Sequence, residues 1–129
     1  MIYFVGILKQ TFSEGENLAL DYIKESQFPK DHFFFVFAAL YAIENNCMET
    51  LQYIVELDDF NVNCEFDEDS STLLIKAVKS NNTEAAKILL KRNDLAMIHK
   101  DIHGKSAISY ALENLNEGFA KILLEREAK

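Results

Sequence analysis

Two stretches of this chain line up with each other at a spacing of about 35 residues, and that repeat limits the possible folds more than any other feature. One runs from Thr72 to Leu90 and the other from Ser106 to Leu124. A weaker copy lies upstream, where Ala42-Ile43 and the run from Glu49 to Val55 hold matching places. A period of this length signals stacked supersecondary units, each burying its apolar side on the next. Such a stack offers an extended surface for gripping another molecule and rarely encloses a catalytic pocket.

Within each copy two short helical patterns flank a polar turn. In the second copy the first helix is read over Ser71 to Ser80, with Leu73, Leu74, Ala77 and Val78 on one stripe. Asn81-Asn82 ends it, because asparagine tolerates the left-handed backbone that closes a helix. Thr83 is read as the cap of the next helix, which carries Ala86, Ile88, Leu89 and Leu90. Neither helix is long enough to stand alone in water, so the pairs must stack. In the third copy Leu115 replaces Asn81. A leucine at positive φ costs about 1 kcal/mol, which predicts a different turn there.

From Asp101 to Leu112 the chain resembles the ankyrin repeat, a turn or hairpin followed by two antiparallel helices. It follows the phrase D-x-x-G-x-T-P-L-H-x-A-A, with Ser106 for Thr, Ala107 for Pro and Ile108 for Leu. Asp67 to Val78 is the same phrase without the glycine, and Asn61-Val62-Asn63 is similar to the segment that leads into the next hairpin. Upstream, His32 to Ile43 keeps the helix but not the hairpin signature. The resemblance implies an all-α fold, an ankyrin-like solenoid of about four stacked helix pairs within a single domain over 1–129. Residues 1–30 form an N-terminal capping pair, with Gly15 in its turn. Residues 31–64, 65–99 and 100–129 are the repeats, the last a C-terminal cap. The pitch exceeds the family's usual one, and the extra residues fit best near Asp58-Asp59-Phe60 and Met97-Ile98-His99.

Partners of ankyrin-like stacks usually bind the concave face made by hairpin tips and the ends of first helices. Carried over by position, the tips here are Glu68, Asp69 and Ser71, then Ile102, His103 and Lys105. The helix ends are Glu44 and Asn45, Lys79 and Ser80, and Glu113 and Asn114. These places are polar and differ between copies, whereas the aliphatic places recur. The acidic tip beside one bearing His103 and Lys105 makes a charge step able to orient a partner. The function implied is a non-catalytic adaptor, inhibitor or targeting subunit that binds another protein. The alternative is a structural, self-associating component that uses apolar end faces or the aromatic N-terminal half.

Composition narrows the classes further. A net charge of −8 and a pI near 4.8 argue against nucleic-acid binding, which depends on clustered Lys and Arg. Cys47 and Cys64 stand alone, as reduced thiols do in an intracellular, cytoplasmic protein. Met1 to Leu8 is apolar but too short to span a bilayer and lacks a signal-peptide pattern, so it reads as a packed helix without membrane contact. His99-x-x-x-His103 has metal-like spacing, but the repeat register puts it in a hairpin with no third ligand. Glu65 to Asp69 lacks the glycine and distant glutamate of a calcium loop. No cofactor, metal or nucleophile motif is expected, and a monomer is favoured over a homo-oligomer.

Two apolar features leave alternatives open. Phe33, Phe34, Phe35 and Phe37 cannot all sit on one helical stripe. Neighbouring helices enclose them all, or Phe33 or Phe34 is an exposed anchor of the kind that dominates interfaces. At the other end, Phe119, Ile122 and Leu123 lie on a helix with no successor. They turn inward, or that face docks on another chain.

Overall fold

Residues 3–127 are described by the computed structural model, and all regular structure among them is helical. Met1, Ile2, Ala128 and Lys129 lie outside the described residues, so the expected packed start and C-terminal cap are seen only in part. The eight helices are α1 (Tyr3–Glu14), α2 (Glu16–Glu25), α3 (Phe33–Glu44), α4 (Met48–Val55), α5 (Leu73–Lys79), α6 (Thr83–Leu89), α7 (Ala107–Glu113) and α8 (Glu117–Glu127). They fall into two compact units, Met1–Asn61 and Val62–Lys129.

In the first unit α1 pairs with α2 and α3 with α4, and the pairs stack with α1 on α3 and α2 on α4. Gly15, at φ 136°, makes the turn between α1 and α2 in a backbone region closed to side chains. The phenylalanine run divides by depth. Phe34 and Phe35 are fully buried, while Phe33 stays 56 % exposed at the first turn of α3. Phe34 stacks on Phe28 at 4.5 Å and meets Phe4 of α1 edge-on at 5.8 Å. Such arrangements suit the quadrupoles of the rings as well as burying their area. His32 fixes where α3 begins, its Nδ1 accepting from the Phe34 N–H at 2.9 Å.

Cys47 occupies the cap position of α4 but makes no capping bond. Glu16 of α2 supplies what is missing. Its carboxylate accepts from the Thr50 N–H at 3.2 Å and the Thr50 hydroxyl at 3.4 Å, placing negative charge on the free donors of a helix N-terminus.

In the second unit α5 pairs with α6 and α7 with α8, and α7 packs against α5. Thr72 and Ser106 cap α5 and α7, their hydroxyls accepting from Ile75 at 3.4 Å and Ser109 at 3.3 Å. The cap of α6 is Asn82, which accepts from Ala85 at 3.0 Å; the expected Thr83 is instead the first helical residue. The reason is the turn before it, which uses one residue fewer than the sequence reading assigned.

That turn recurs three times with one geometry. Asn46, Asn81 and Leu115 have φ of 57°, 56° and 55°. Each N–H reaches back three residues, and the following N–H reaches back five, to Ala42, Ala77 and Ala111. This is the Schellman arrangement. The different turn expected at Leu115 is not observed. The backbone bonds and the Asn116 cap, which accepts from Phe119 at 2.9 Å, hold the leucine in the left-handed region.

Phe119 and Leu123 turn inward and are buried, whereas Ile122 is only partly covered. Arg126 closes the unit by donating from its guanidinium to the carbonyls of Leu90 and Arg92, which follow α6. These are carbonyls that a helix end leaves without partners.

Candidate partner-binding surface

Both hairpin tips of the second unit are built around one aspartate. Asp67 Oδ1 accepts from the N–H groups of Asp69 and Ser71, each at 3.0 Å. Asp101 Oδ1 accepts from those of His103 at 2.9 Å and Lys105 at 3.1 Å. A short acidic side chain that bonds its own downstream backbone fixes a turn without any strand. The left-handed position in each tip falls to Ser70, at φ 59°, and Gly104, at φ 73°. The glycine missing from the earlier copy therefore leaves the tip's shape intact. The tips are joined where the Ile102 N–H donates to the Asp69 carbonyl at 2.9 Å. Asn63 braces the segment ahead, donating to the Asp94 carbonyl at 2.8 Å and accepting from Ala96 at 2.7 Å.

The positions expected to meet a partner separate into three groups. Glu68, Ile102 and His103 are exposed at the tips, as are Lys79, Ser80, Glu113 and Asn114 at the helix ends. Asp69 and Lys105 are partly covered. Ser71 is 4 % exposed, which corrects its assignment as a contact residue. It lies inside the tip, its N–H given to Asp67 and its carbonyl accepting from Phe66. Glu44 and Asn45 are exposed at the end of α3 in the first unit.

Tyr110, which the sequence reading left as an ordinary helix position, lies at the centre of this surface in the second unit. The Lys79 and Lys105 ammoniums lie 5.2 and 5.6 Å from its ring centre, within cation–π range. Its hydroxyl donates to Asp101 Oδ2, so one carboxylate ties the hairpin to the helix after it. That bond, together with burial and the nearby charges of Asp101, Glu113 and Asp69, pushes the phenol up to about 12. Burial pushes the Asp101 carboxyl upward, but the bonds from Tyr110, Lys105 and His103 outweigh it and hold the group below its ordinary range. The signal available in sequence was the aspartate shared by both tips; nothing there marked the tyrosine as its partner.

Lys105 Nζ also pairs with Glu113 at 2.8 Å. The charge step expected between the tips is thus softened, because part of the lysine charge is met inside the same repeat. His99 Nε2 lies 2.9 Å from the Ser70 carbonyl and 3.4 Å from the Glu65 carboxylate. Among the described residues no three His, Cys, Asp or Glu side chains are grouped to hold a metal. Glu65, Phe66, Asp67, Glu68 and Asp69 line an open depression beside the first tip. Burial and a neighbouring glutamate push both thiols up, Glu16 acting on Cys47 and Glu65 on Cys64, which disfavours the reactive thiolate.

No helix among the described residues is long and apolar enough to cross a membrane. No curated protein matches the chain. A family model described as ankyrin repeats, in three copies, matches residues 38–129.

Proposed function

Because the chain belongs to the ankyrin-repeat family, whose members are generally protein–protein interaction modules, we propose that it is a non-catalytic adaptor, inhibitor or targeting subunit. Its protein partner seats on the exposed tips and first-helix ends of the second unit. The contact residues are Glu68, Asp69, Lys79, Ser80, Ile102, His103, Lys105, Glu113 and Asn114, with Tyr110 now added. In the first unit the corresponding exposed end is Glu44 and Asn45. The reading takes 1–129 as a single repeat domain that works as a monomer inside a cell. The unpaired Cys47 and Cys64 support that setting.

One observation carries the reading. Tyr110 presents an aromatic face flanked by two ammonium groups on a backbone fixed by Asp101. Tyrosine is enriched among the residues that dominate protein interfaces. Its hydrogen bonds are already made, so little ordering remains for binding to oppose. The acidic tip at Glu68 and Asp69 and the cations at Lys79 and Lys105 set the orientation of a partner of complementary charge.

The test is affinity capture from source-cell extract, comparing wild type with a folded variant changed at Glu68, Lys79, Lys105 and Glu113. A protein retained by wild type alone supports the assignment. A partner retained equally by both moves the contact to another surface.

A further inference from the structure

The turns at Asn81 and Leu115 share one backbone geometry, but the second places a leucine where the first has asparagine. Leu115 stands at φ 55° and is 87 % exposed, so it carries the strain of the left-handed region with little burial to offset it. Asn81 is exposed as well, although α7 and α8 follow it in the same unit. The exposure therefore belongs to the turn and not to the last repeat. An exposed aliphatic residue at a strained position works against folding, which points to a role in binding.

The neighbours of Leu115 say what it would meet. It lines an open depression with Lys79, Asn81, Asn114, Asn116 and Glu117. Asn116 Oδ1 accepts from the Phe119 N–H at 2.9 Å, so its amide nitrogen must donate, and it does so to Asn81 Oδ1 at 2.6 Å. Asn81 thus keeps its own NH2 group for another acceptor. Of the two ammonium groups beside Tyr110, that of Lys105 is met by Glu113 at 2.8 Å. That of Lys79 has the ring and, among the described residues, no carboxylate.

We infer that this depression binds an extended segment of a protein partner in which an aspartate or glutamate lies beside an aliphatic residue. The carboxylate pairs with Lys79, the aliphatic side chain covers Leu115, and Asn81 donates to a backbone carbonyl. One uncommitted cation suits one carboxylate. A phosphate, with nearly twice that charge, would be left half-paired and facing Glu117. The inference rests on the reading that the second unit binds a protein. It names the partner's chemistry and extends the surface from Lys79 and Asn114 to the turns beyond them.

The probe is a random peptide library displayed on phage and selected on the full chain, the enriched peptides then being titrated by fluorescence anisotropy. Enriched sequences are expected to share an acidic residue beside an aliphatic one. Leu115→Asn should weaken their binding about tenfold, as loss of an interface anchor does, while raising the urea midpoint, so unfolding is not the cause. Leu115→Met should keep the binding. Lys79→Gln should weaken it about threefold, as for an exposed ion pair, and high salt should erase that difference. No enrichment, peptides without the acidic–aliphatic pattern, or equal binding by Leu115→Asn overturns the inference. Peptides released by changing Glu68 and Ile102 but not Leu115 would overturn it and leave the proposed function standing. Peptides released by Leu115→Asn alone would uphold it and take the tips out of the proposed function.

Discussion

Tyr110 donates its phenolic hydrogen bond to the Asp101 carboxylate, whose other oxygen already holds the N–H groups of His103 and Lys105. Hairpin and helix are thereby locked through a single side chain. In the earlier copy Lys76 stands where the tyrosine would be, and Asp67 Oδ1 accepts from the N–H groups of Asp69 and Ser71.

Tyr110→Phe is expected to cost about 1 kcal/mol near neutral pH, the net value of one hydrogen bond. The pH dependence follows from the two shifts. The phenol is raised from 10.0 to about 12, so its contribution is complete below pH 10 and is lost as pH rises from there toward 12. The Asp101 carboxyl is lowered, so its contribution is present above the unfolded value of 3.8 and is lost as pH falls through the folded one. Urea denaturation of wild type and variant at pH 3, 7 and 11 should show the largest gap at pH 7. An equal gap at all three would mean the bond is not coupled to either titration.

Leu115→Asn should stabilise the protein by about 0.5–1 kcal/mol. The leucine is held at φ 55° and is 87 % exposed, so its side chain gains little burial to offset the left-handed backbone. Asparagine already fills the same position at 46 and 81. Thermal and urea unfolding measure the change, and a lower midpoint would show that Leu115 has a contact worth more than the strain.

Glu16→Ala should lower stability by about 1 kcal/mol, the usual effect of losing a helix cap. The Thr50 N–H and hydroxyl lose their acceptor, since Cys47 makes no capping bond of its own. Removing this neighbouring charge should also bring the Cys47 thiol down toward its ordinary value. Thiol labelling against pH reads the second effect. An unmoved Cys47 titration would mean burial alone sets it.

Leu89→Ala should destabilise by roughly 2–4 kcal/mol, because a buried side chain is deleted from a packed interior. Chemical denaturation checks it. Almost no loss would place Leu89 outside the core and break the repeat register that aligns it with Leu123.

The repeat by itself determined that the chain is a stack of helix pairs, because each copy carries apolar positions at helical spacing that no isolated helix could bury, and the hairpin phrase carried the resemblance to ankyrin repeats. The hairpin phrase also placed the two tip aspartates, and the paired asparagines marked the inter-helix turns. Local propensity erred by one residue at Thr83 because asparagine can serve either as the left-handed residue or as the cap, and here two in succession do both. Only the tertiary structure decided that Leu115 keeps the same turn, since backbone bonds from neighbouring positions outweigh one residue's preference. It also buried Ser71, brought Tyr110 onto Asp101 and left Leu112 uncovered while its counterpart Val78 is enclosed. Those outcomes depend on what lies across a packed interface, and a one-dimensional pattern records which residues repeat but not which of them find a partner.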